Sequence, residues 1–452
     1  MPDSTVQGSD VALMRMLAEW LPQQRWFPGR GTALSDIAIV SDELLRAGDP
    51  ALRHLIVQAP LGTGAPGRFQ VPVGYRTHLP AELNAALIGY QDGTACYDAL
   101  HDPELAAVLL AGMSDERVAG PLRFVREPDA PEFAEFGGGR LLGVEQSNTS
   151  LVFGDAAILK VLRRLFPGSN PDLEVADALA RLGSTHVAAP YGWIETDLDG
   201  EPVLLAVLSR FLPGARDGWS LALQHLRRFY AQQGGTTLPF IDEARELGQA
   251  TAELHADLAR AFGDQETTAT ELARLAADMH GKLSQALTLV PDLAGHEDRI
   301  RSAYDAVGRV TGPVAVQRIH GDYHLGQVLL GPRGWVALDF EGEPAVPLSV
   351  RRAPAPALRD VAGMLRSFDY ASRQQLVGHP AAQQLAPVAA AWAQQCQAAF
   401  SAGYAAGGGI DPAGHRTLLH ALTMEKAVYE VVYEHRHRPA WLSIPLDFVA
   451  AA

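Results

Sequence analysis

A chain of 452 residues with 47% hydrophobic and 20% charged side chains can bury sizeable cores and has room for about three domains. Its 37 Lys and Arg against 52 Asp and Glu leave a formal charge of −15, which disfavours DNA or RNA as a partner, because nucleic-acid affinity comes largely from basic residues that release counterions. Cys96 and Cys396 are too few and too distant for a disulfide framework or a metal cluster, and the N-terminus, with Asp3 and Asp10, has no apolar export core, so a cytoplasmic protein with a small-molecule partner and no membrane span is expected.

Residues 1–95 read as a small β-rich cap subdomain. A helix ends near Trp20-Leu21, and Ile37-Ala-Ile-Val40, His54-Leu-Ile-Val57 and Phe69-Gln-Val-Pro-Val73 are short strand-like runs between Gly and Pro turns. Trp20 and Trp26 bracket Leu21-Pro22 and are expected in cap packing.

Residues 96–209 mix strand and helix patterns and are taken as an intermediate subdomain completing an N-terminal lobe. Glu145-Gln-Ser-Asn-Thr-Ser150, then Leu151-Val-Phe153, Gly154-Asp155 and Ala156-Ala-Ile-Leu-Lys160-Val-Leu162, describe a hairpin with a polar tip. Ser147, Asn148 and Thr149 can offer backbone N–H groups and hydroxyls to phosphates. Lys160 has apolar neighbours in a strand, where an ammonium needs an anionic partner. Asn170-Pro171 reads as an N-cap followed by proline at the first helical position, which puts Glu174 in the first turn. Glu174 is the expected partner of Lys160, with a simple helix-dipole acid as the plainer reading.

After a hinge-like Arg210-Phe-Leu-Pro-Gly214, helical periodicity dominates residues 210–452. His255 falls among Ala244, Leu247, Thr251, Leu254 and Leu258 and reads as a packed histidine. The 37 residues from Gln374 to Ile410 carry no Asp, Glu, Lys or Arg, but their glutamines argue against a membrane span. Val388, Trp392, Cys396, Phe400 and Tyr404 recur every four residues, as in a packed helix closed by Gly407-Gly-Gly409.

The chemistry lies in His320-Gly-Asp-Tyr-His-Leu-Gly-Gln327, followed twelve residues later by Asp339-Phe-Glu341. Val328-Leu-Leu330 and Trp335-Val-Ala-Leu338 read as strands joined by the turn Gly331-Pro-Arg-Gly334. In phosphoryl-transfer enzymes of the protein-kinase type, a loop Asp accepts the hydroxyl proton, an amide five residues on binds Mg²⁺, and an Asp beyond a hairpin binds the metal between the phosphates. Asp322, Gln327 and Asp339 fit those three roles. Asp360 is expected to anchor the loop, His320 to brace it, and His324 to lie nearer the substrate.

The chain resembles the maltokinase-like sugar kinases of actinobacteria, distant relatives of aminoglycoside phosphotransferases and protein kinases. The resemblance is carried by Trp20-Leu-Pro-Gln-Gln-Arg-Trp26, Glu145-Gln-Ser-Asn-Thr-Ser150, Ile158-Leu-Lys160, His320-Gly-Asp322, Asp339-Phe-Glu-Gly-Glu-Pro344, Leu358-Arg-Asp-Val-Ala-Gly-Met-Leu-Arg-Ser-Phe368 and Lys426-Ala-Val-Tyr-Glu430. It implies an α+β, bilobal, eukaryotic-protein-kinase-like fold with a β-rich cap and a helical C-terminal lobe, using ATP and Mg²⁺. It further implies Asp322 as catalytic base, Gln327 and Asp339 as Mg²⁺ ligands, Lys160 on the phosphates with Glu174 beside it, and the backbone from Arg210 to Leu212 at the adenine. Association with an enzyme of trehalose or glycogen metabolism is a further implication.

Relatives of this kind make maltose 1-phosphate or phosphorylate glucosamine at its 6-hydroxyl. Tyr323 after the catalytic Asp, and Glu425 before Lys426, depart from the maltokinase pattern and favour glucosamine. A glucosamine ammonium needs a carboxylate, for which Glu425 and Glu430 are the candidates; Glu425 and Tyr429 are four apart, as on one helix face, and Trp441 can stack on a sugar. The plainer readings are Glu425 paired with an arginine of the lobe, and Tyr429 and Trp441 in a core. A maltokinase, an aminoglycoside phosphotransferase and a non-catalytic kinase-like regulator remain the alternatives. The joint presence of Lys160, Asp322, Gln327 and Asp339 argues against the last.

Overall fold

The computed structural model describes residues 4–34, 36–61, 65–143, 147–231, 239–342 and 348–451. They form two compact units, Met1–Glu174 with Ala188–Pro213, and Val175–Val187 with Gly214–Ala452.

The first unit holds two antiparallel sheets. In the first, strands Ala38–Arg46, Ala51–Ala59, Gly67–Arg76, Thr94–Asp98 and Leu87–Gln91 lie in that spatial order, and Arg164–Leu165 adds to Gly67–Arg76. The expected runs His54–Val57 and Phe69–Val73 fall inside these strands, and the run from Ile37 to Val40 enters the first of them at Ala38. Leu55, Val57, Phe69, Val71 and Val73 are fully buried against Leu13, Leu17 and Phe27, because alternate residues of each strand face the helix Ser4–Trp20 and the segment after it. Trp20 and Trp26 meet edge to face with ring centroids 5.8 Å apart, so both pack in this unit as expected. The expected boundary after residue 95 cuts the strand Thr94–Asp98, so this sheet extends to Asp98.

The second sheet runs Val118–Ala119, Leu122–Arg126, Pro190–Leu198, Glu201–Arg210, Ala157–Val161, Thr149–Phe153 and Gly139–Leu141. The expected polar-tipped hairpin is present, with Lys160 opposite Ser150 on one side and Val207 on the other. Ala157, Leu159 and Val161 are buried with Leu105, Leu109 and Met113 of the helix Pro103–Ser114, which leaves Lys160 on the opposite face.

The second unit is mainly helical. Its longest helices are Ile241–Phe262, Ala269–Leu289, Ala382–Ala406 and Arg416–His437. Trp392, Cys396, Phe400 and Tyr404 are buried as their spacing predicts, and among the described residues no helix is long and apolar enough to cross a membrane. Two glycines let Ile241–Phe262 and Ala382–Ala406 touch backbone to backbone. A Cβ on Gly248 would stand 2.0 Å from the Phe400 carbonyl oxygen, and one on Gly403 would stand 2.0 Å from that of Arg245. The strands Val328–Gly331 and Gly334–Ala337 form the expected hairpin, and Gly334 takes a φ of +108° that its turn requires. The unit also includes residues 175–187, which the sequence reading placed in the intermediate subdomain.

Candidate active site

The loop carrying Asp322 is held from beneath by one buried carboxylate. Asp360 accepts hydrogen bonds from the His320 and Gly321 amides at 2.8 and 2.9 Å and from His255 Nε2 at 3.1 Å. Burial alone would raise the Asp360 carboxyl, but the bond and charge of His255, with the amide donors, hold it below its usual range. His255 pairs its other nitrogen with the Tyr404 hydroxyl at 2.8 Å, so it is the packed, hydrogen-bonded histidine its helical spacing suggests. His320 Nε2 donates to the Leu338 carbonyl at 2.7 Å, which ties the loop to the residue just before Asp339. Tyr323, one of the departures noted above, points into the core and pairs its hydroxyl with Thr251 at 2.9 Å.

Gln327 and Leu338 stand side by side at the open end of the hairpin, the Leu338 amide donating to the Gln327 carbonyl at 2.9 Å. The hairpin therefore brings Gln327 and Asp339 to the same end of the same two strands. Asp339 adopts a φ of +57°, a left-handed conformation that costs a non-glycine residue about 1–3 kcal/mol. Carboxylate oxygens of Asp339 and Glu341 come within 4.8 Å of each other. An amide oxygen and carboxylates are the hard donors that suit Mg²⁺.

Asp322 itself opens onto a cavity of about 660 Å³ that is also lined by His324, Lys426, Tyr429, Glu430, Glu434 and Trp441. Lys426 Nζ lies 2.9 Å from Asp322 Oδ1. His324 Nε2 lies 3.9 Å from Asp322 Oδ2, too far for a direct hydrogen bond. Because His324 Nδ1 accepts the Gly326 amide at 3.0 Å, the neutral ring carries its proton on Nε2, facing the carboxylate. Its partly buried place in the wall pushes His324 down to about 4. Burial would raise Asp322, but the charges of Lys426 and His324 and the bond from Lys426 outweigh it and hold the carboxyl below its usual range.

The helix Arg416–His437 supplies the largest share of the wall. Lys426, Glu430 and Glu434 recur at four-residue spacing, whereas Glu425 is turned away from Lys426 by roughly 100° of helix. Glu425 is accordingly buried outside the cavity, in ion pairs with Lys282 at 2.7 Å and Arg359 at 2.9 Å. This corrects the expectation that Glu425 meets the substrate: it keeps its helical spacing with Tyr429, but its carboxylate is taken by Lys282 and Arg359, and the arginine-paired alternative holds. Glu430 is brought to the cavity, and both of its bonds from the fully buried Arg366, at 3.0 and 2.6 Å, end on Oε2. Glu434, by contrast, has both oxygens engaged, by Arg438 and by the Tyr370 hydroxyl. Trp441 and Tyr429 line the cavity, under Arg438 at 4.3 Å and Lys426 at 4.9 Å from their ring centroids. Sequence reasoning assigned no role to Lys426, Arg366 or Glu434; the i, i+4, i+8 run of charge from Lys426 was the available signal.

In the first unit Asn170 caps the helix Pro171–Arg181 through the amides of Asp172 and Leu173, at 2.9 and 3.2 Å. Lys160 Nζ stands 3.5 Å from Asp172 Oδ2, so Asp172, two residues before Glu174, is a carboxylate partner that the sequence reading missed. Ser147 is exposed, Asn148 half-buried, and Thr149 begins its strand with its hydroxyl accepting from Arg163 Nε at 2.8 Å. Glu145 and Gln146 of the expected tip lie outside the described residues. At the end of Glu201–Arg210 the amides of Arg210 and Phe211 are bound at 2.9 Å to the Ala189 and Ala156 carbonyls; Leu212 follows, half-buried.

With this geometry in hand, comparison with known proteins gives a consistent result. Residues 20–102 match the maltokinase N-terminal cap domain. A glucosamine kinase from Streptacidiphilus jiangxiensis is 33% identical over 354 residues, covering 74% of this chain and 79% of that protein. The chain belongs to the maltokinase-like glucosamine kinase family. A second glucosamine kinase, from Mycolicibacterium smegmatis, is 29% identical over 320 residues, 68% of this chain and 78% of its own length. A solved structure of a glucosamine kinase in complex with glucosamine, ADP and inorganic phosphate aligns with a TM-score of 0.69 and 26% identity, covering 97% of this chain and 98% of that one. The kinase-like fold with a β-rich cap and a helical C-terminal region, expected from the sequence, is that of these family members.

Proposed function

We propose that this family member transfers the γ-phosphoryl group of Mg·ATP to the 6-hydroxyl of glucosamine, giving glucosamine 6-phosphate. The observation that carries the reading is one cavity holding Asp322, a base whose Oδ2 stands 3.9 Å from His324, beyond hydrogen-bond reach, and Glu430, whose two bonds from Arg366 both end on Oε2. The first takes a hydroxyl proton and the second an ammonium. A neutral disaccharide offers the second hydroxyl donors but no countercharge.

A hydroxyl oxygen about 2.8 Å from both Asp322 Oδ2 and His324 Nε2 bridges their separation at an angle of roughly 90°. It donates its proton to the carboxylate and accepts from the imidazole N–H, and both bonds orient its remaining lone pair. Asp322 receives the proton as the oxygen attacks phosphorus in line, with no covalent enzyme intermediate. Gln327 and Asp339 are the residues that would hold Mg²⁺, which when bound neutralises charge on the phosphates. Lys160, steadied by Asp172 and in this reading by Glu174, serves the α- and β-phosphates. Ser147, Asn148 and Thr149 border the phosphates, and the backbone from Arg210 to Leu212 meets the adenine. Trp441 and Tyr429 offer the sugar ring apolar faces.

Initial rates with glucosamine, glucose, maltose and an aminoglycoside, compared at equal Mg·ATP, test the assignment. The expected order puts glucosamine first by kcat/KM. A higher value for maltose or for the aminoglycoside would replace this reading with that enzyme's.

A further inference from the structure

We propose that Lys426 is a positioning residue for the transfer step, which by holding Oδ1 of Asp322 presents Oδ2 alone to the acceptor hydroxyl. The inference rests on the reading of Asp322 as the base. Lys426 belongs to the word Lys426-Ala-Val-Tyr-Glu430, for which neither the fold nor the fit of the sugar required a lysine.

The two partners come from elements 104 residues apart in sequence and meet at 2.9 Å on the cavity wall. Their side chains are 21% and 20% exposed, so the pair is largely withdrawn from water, though not sealed off. The Tyr429 ring lies under the ammonium at 4.9 Å and adds a second contact that fixes it. A carboxylate has two equivalent oxygens, and the Asp terminal torsion is broad, so an unrestrained Asp322 would offer either oxygen over a wide arc. Fixing Oδ1 removes that freedom, and the opposite oxygen is left facing His324 Nε2 across the 3.9 Å gap.

An ammonium beside the base also makes it a weaker base. In a loose phosphoryl-transfer transition state little covalent chemistry is asked of the protein, and placement dominates. During the step the acceptor O–H bond breaks and its proton passes to Asp322 Oδ2. The acceptor oxygen forms a bond to the γ-phosphorus, and the bond from that phosphorus to the β–γ bridging oxygen breaks, with its electron pair leaving on ADP. Lys426 gains and loses nothing. It holds the proton acceptor in line, and a misplacement near 1 Å costs about 100-fold.

The test compares the full chain with Lys426→Met, Lys426→Arg and Lys426→Cys, the last before and after alkylation with 2-bromoethylamine. Both native cysteines are buried, which directs the reagent to the introduced thiol. Lys426→Met is expected to lower kcat with glucosamine about 100-fold while ADP affinity by titration calorimetry stays within about 2-fold. Aminoethylation should restore at least about a tenth of the lost rate, which a merely structural role would not predict.

Single-turnover rates for Lys426→Met in an Asp322→Asn background complete the cycle. A lysine that acts through Asp322 costs nothing further there. A lysine that contacts the transferred phosphoryl group directly costs its full factor again, and that result overturns the proposal. A wild-type rate in Lys426→Met, or lost ADP affinity, overturns it as well. No turnover of any acceptor by the wild-type chain would overturn the glucosamine reading and this proposal with it, whereas normal wild-type turnover with an indifferent Lys426→Met overturns the proposal alone.

Discussion

Replacing Glu430 by Gln isolates the amino-sugar part of the reading. Gln keeps the size of the side chain and an oxygen for Arg366, and Asp369 remains 2.7 Å from Arg366, so the buried guanidinium keeps an anionic partner. What disappears is the charge offered to the ligand from Oε1. A hydrogen bond to a charged group contributes about 1.5–3 kcal/mol, which corresponds to roughly 10- to 100-fold in kcat/KM. Glucose differs from glucosamine by a hydroxyl in place of the ammonium, so its kcat/KM should change by no more than about 3-fold, since the lost charge has no ammonium to act on. Steady-state assays with both sugars, with a melting curve as the folding control, measure the ratio. An equal fall for both sugars would mean that Glu430 supports the wall and does not read the amine.

Other perturbations have equally definite outcomes. Asp322→Asn should cut kcat by about 100- to 10,000-fold, the usual range for a general base, while calorimetric ADP affinity stays unchanged. Asp339→Ala should abolish the Mg²⁺-dependent part of nucleotide affinity in a magnesium titration, and unchanged affinity would remove Asp339 from the metal site. Between pH 5.5 and 7, around the ordinary histidine value of roughly 6.5, the rate should show no inflection from His324. Burial, with the charges of Lys426 and His320, has already pushed His324 down to about 4 against the opposing pull of Asp322 and Asp217, so it is neutral throughout that window. The rate should fall at low pH only as Asp322, held below its usual range, takes up a proton, and a histidine-like limb that vanishes in His324→Gln would contradict this. Gly403→Ala should destabilise the second unit by about 1–3 kcal/mol, read as a lower melting temperature, because its Cβ would meet the Arg245 carbonyl oxygen at 2.0 Å.

The parts of the site that were legible in the sequence are those built by short local segments. The loop from His320 to Gln327 and the hairpin to Asp339 could be drawn because turn residues and strand runs fix their geometry within about twenty residues. Asp360 was legible as an anchor because it stands in the first turn of the apolar-patterned helix Leu358–Gln374. What escaped depends on packing between distant segments. Which face of Arg416–His437 looks into the cavity goes with Lys282 and Arg359 capturing Glu425, partners from distant segments that the run of charge from Lys426 does not reveal. The Arg366 partner of Glu430 lies 64 residues away, and Arg164–Leu165 joins a strand nearly a hundred residues earlier. Asp172 and Glu174 both stand in one helical turn, and that Asp172 comes within 3.5 Å of Lys160 depends on how the Asn170 cap seats that turn.

The most direct test of the central claim is the position of the phosphate. Phosphorus–proton correlation NMR of the product made from Mg·ATP and glucosamine should couple phosphorus to the C6 protons, and Asp322→Asn should yield no such product on the same timescale. Phosphate at the anomeric carbon, or a normal yield from Asp322→Asn, would contradict the account.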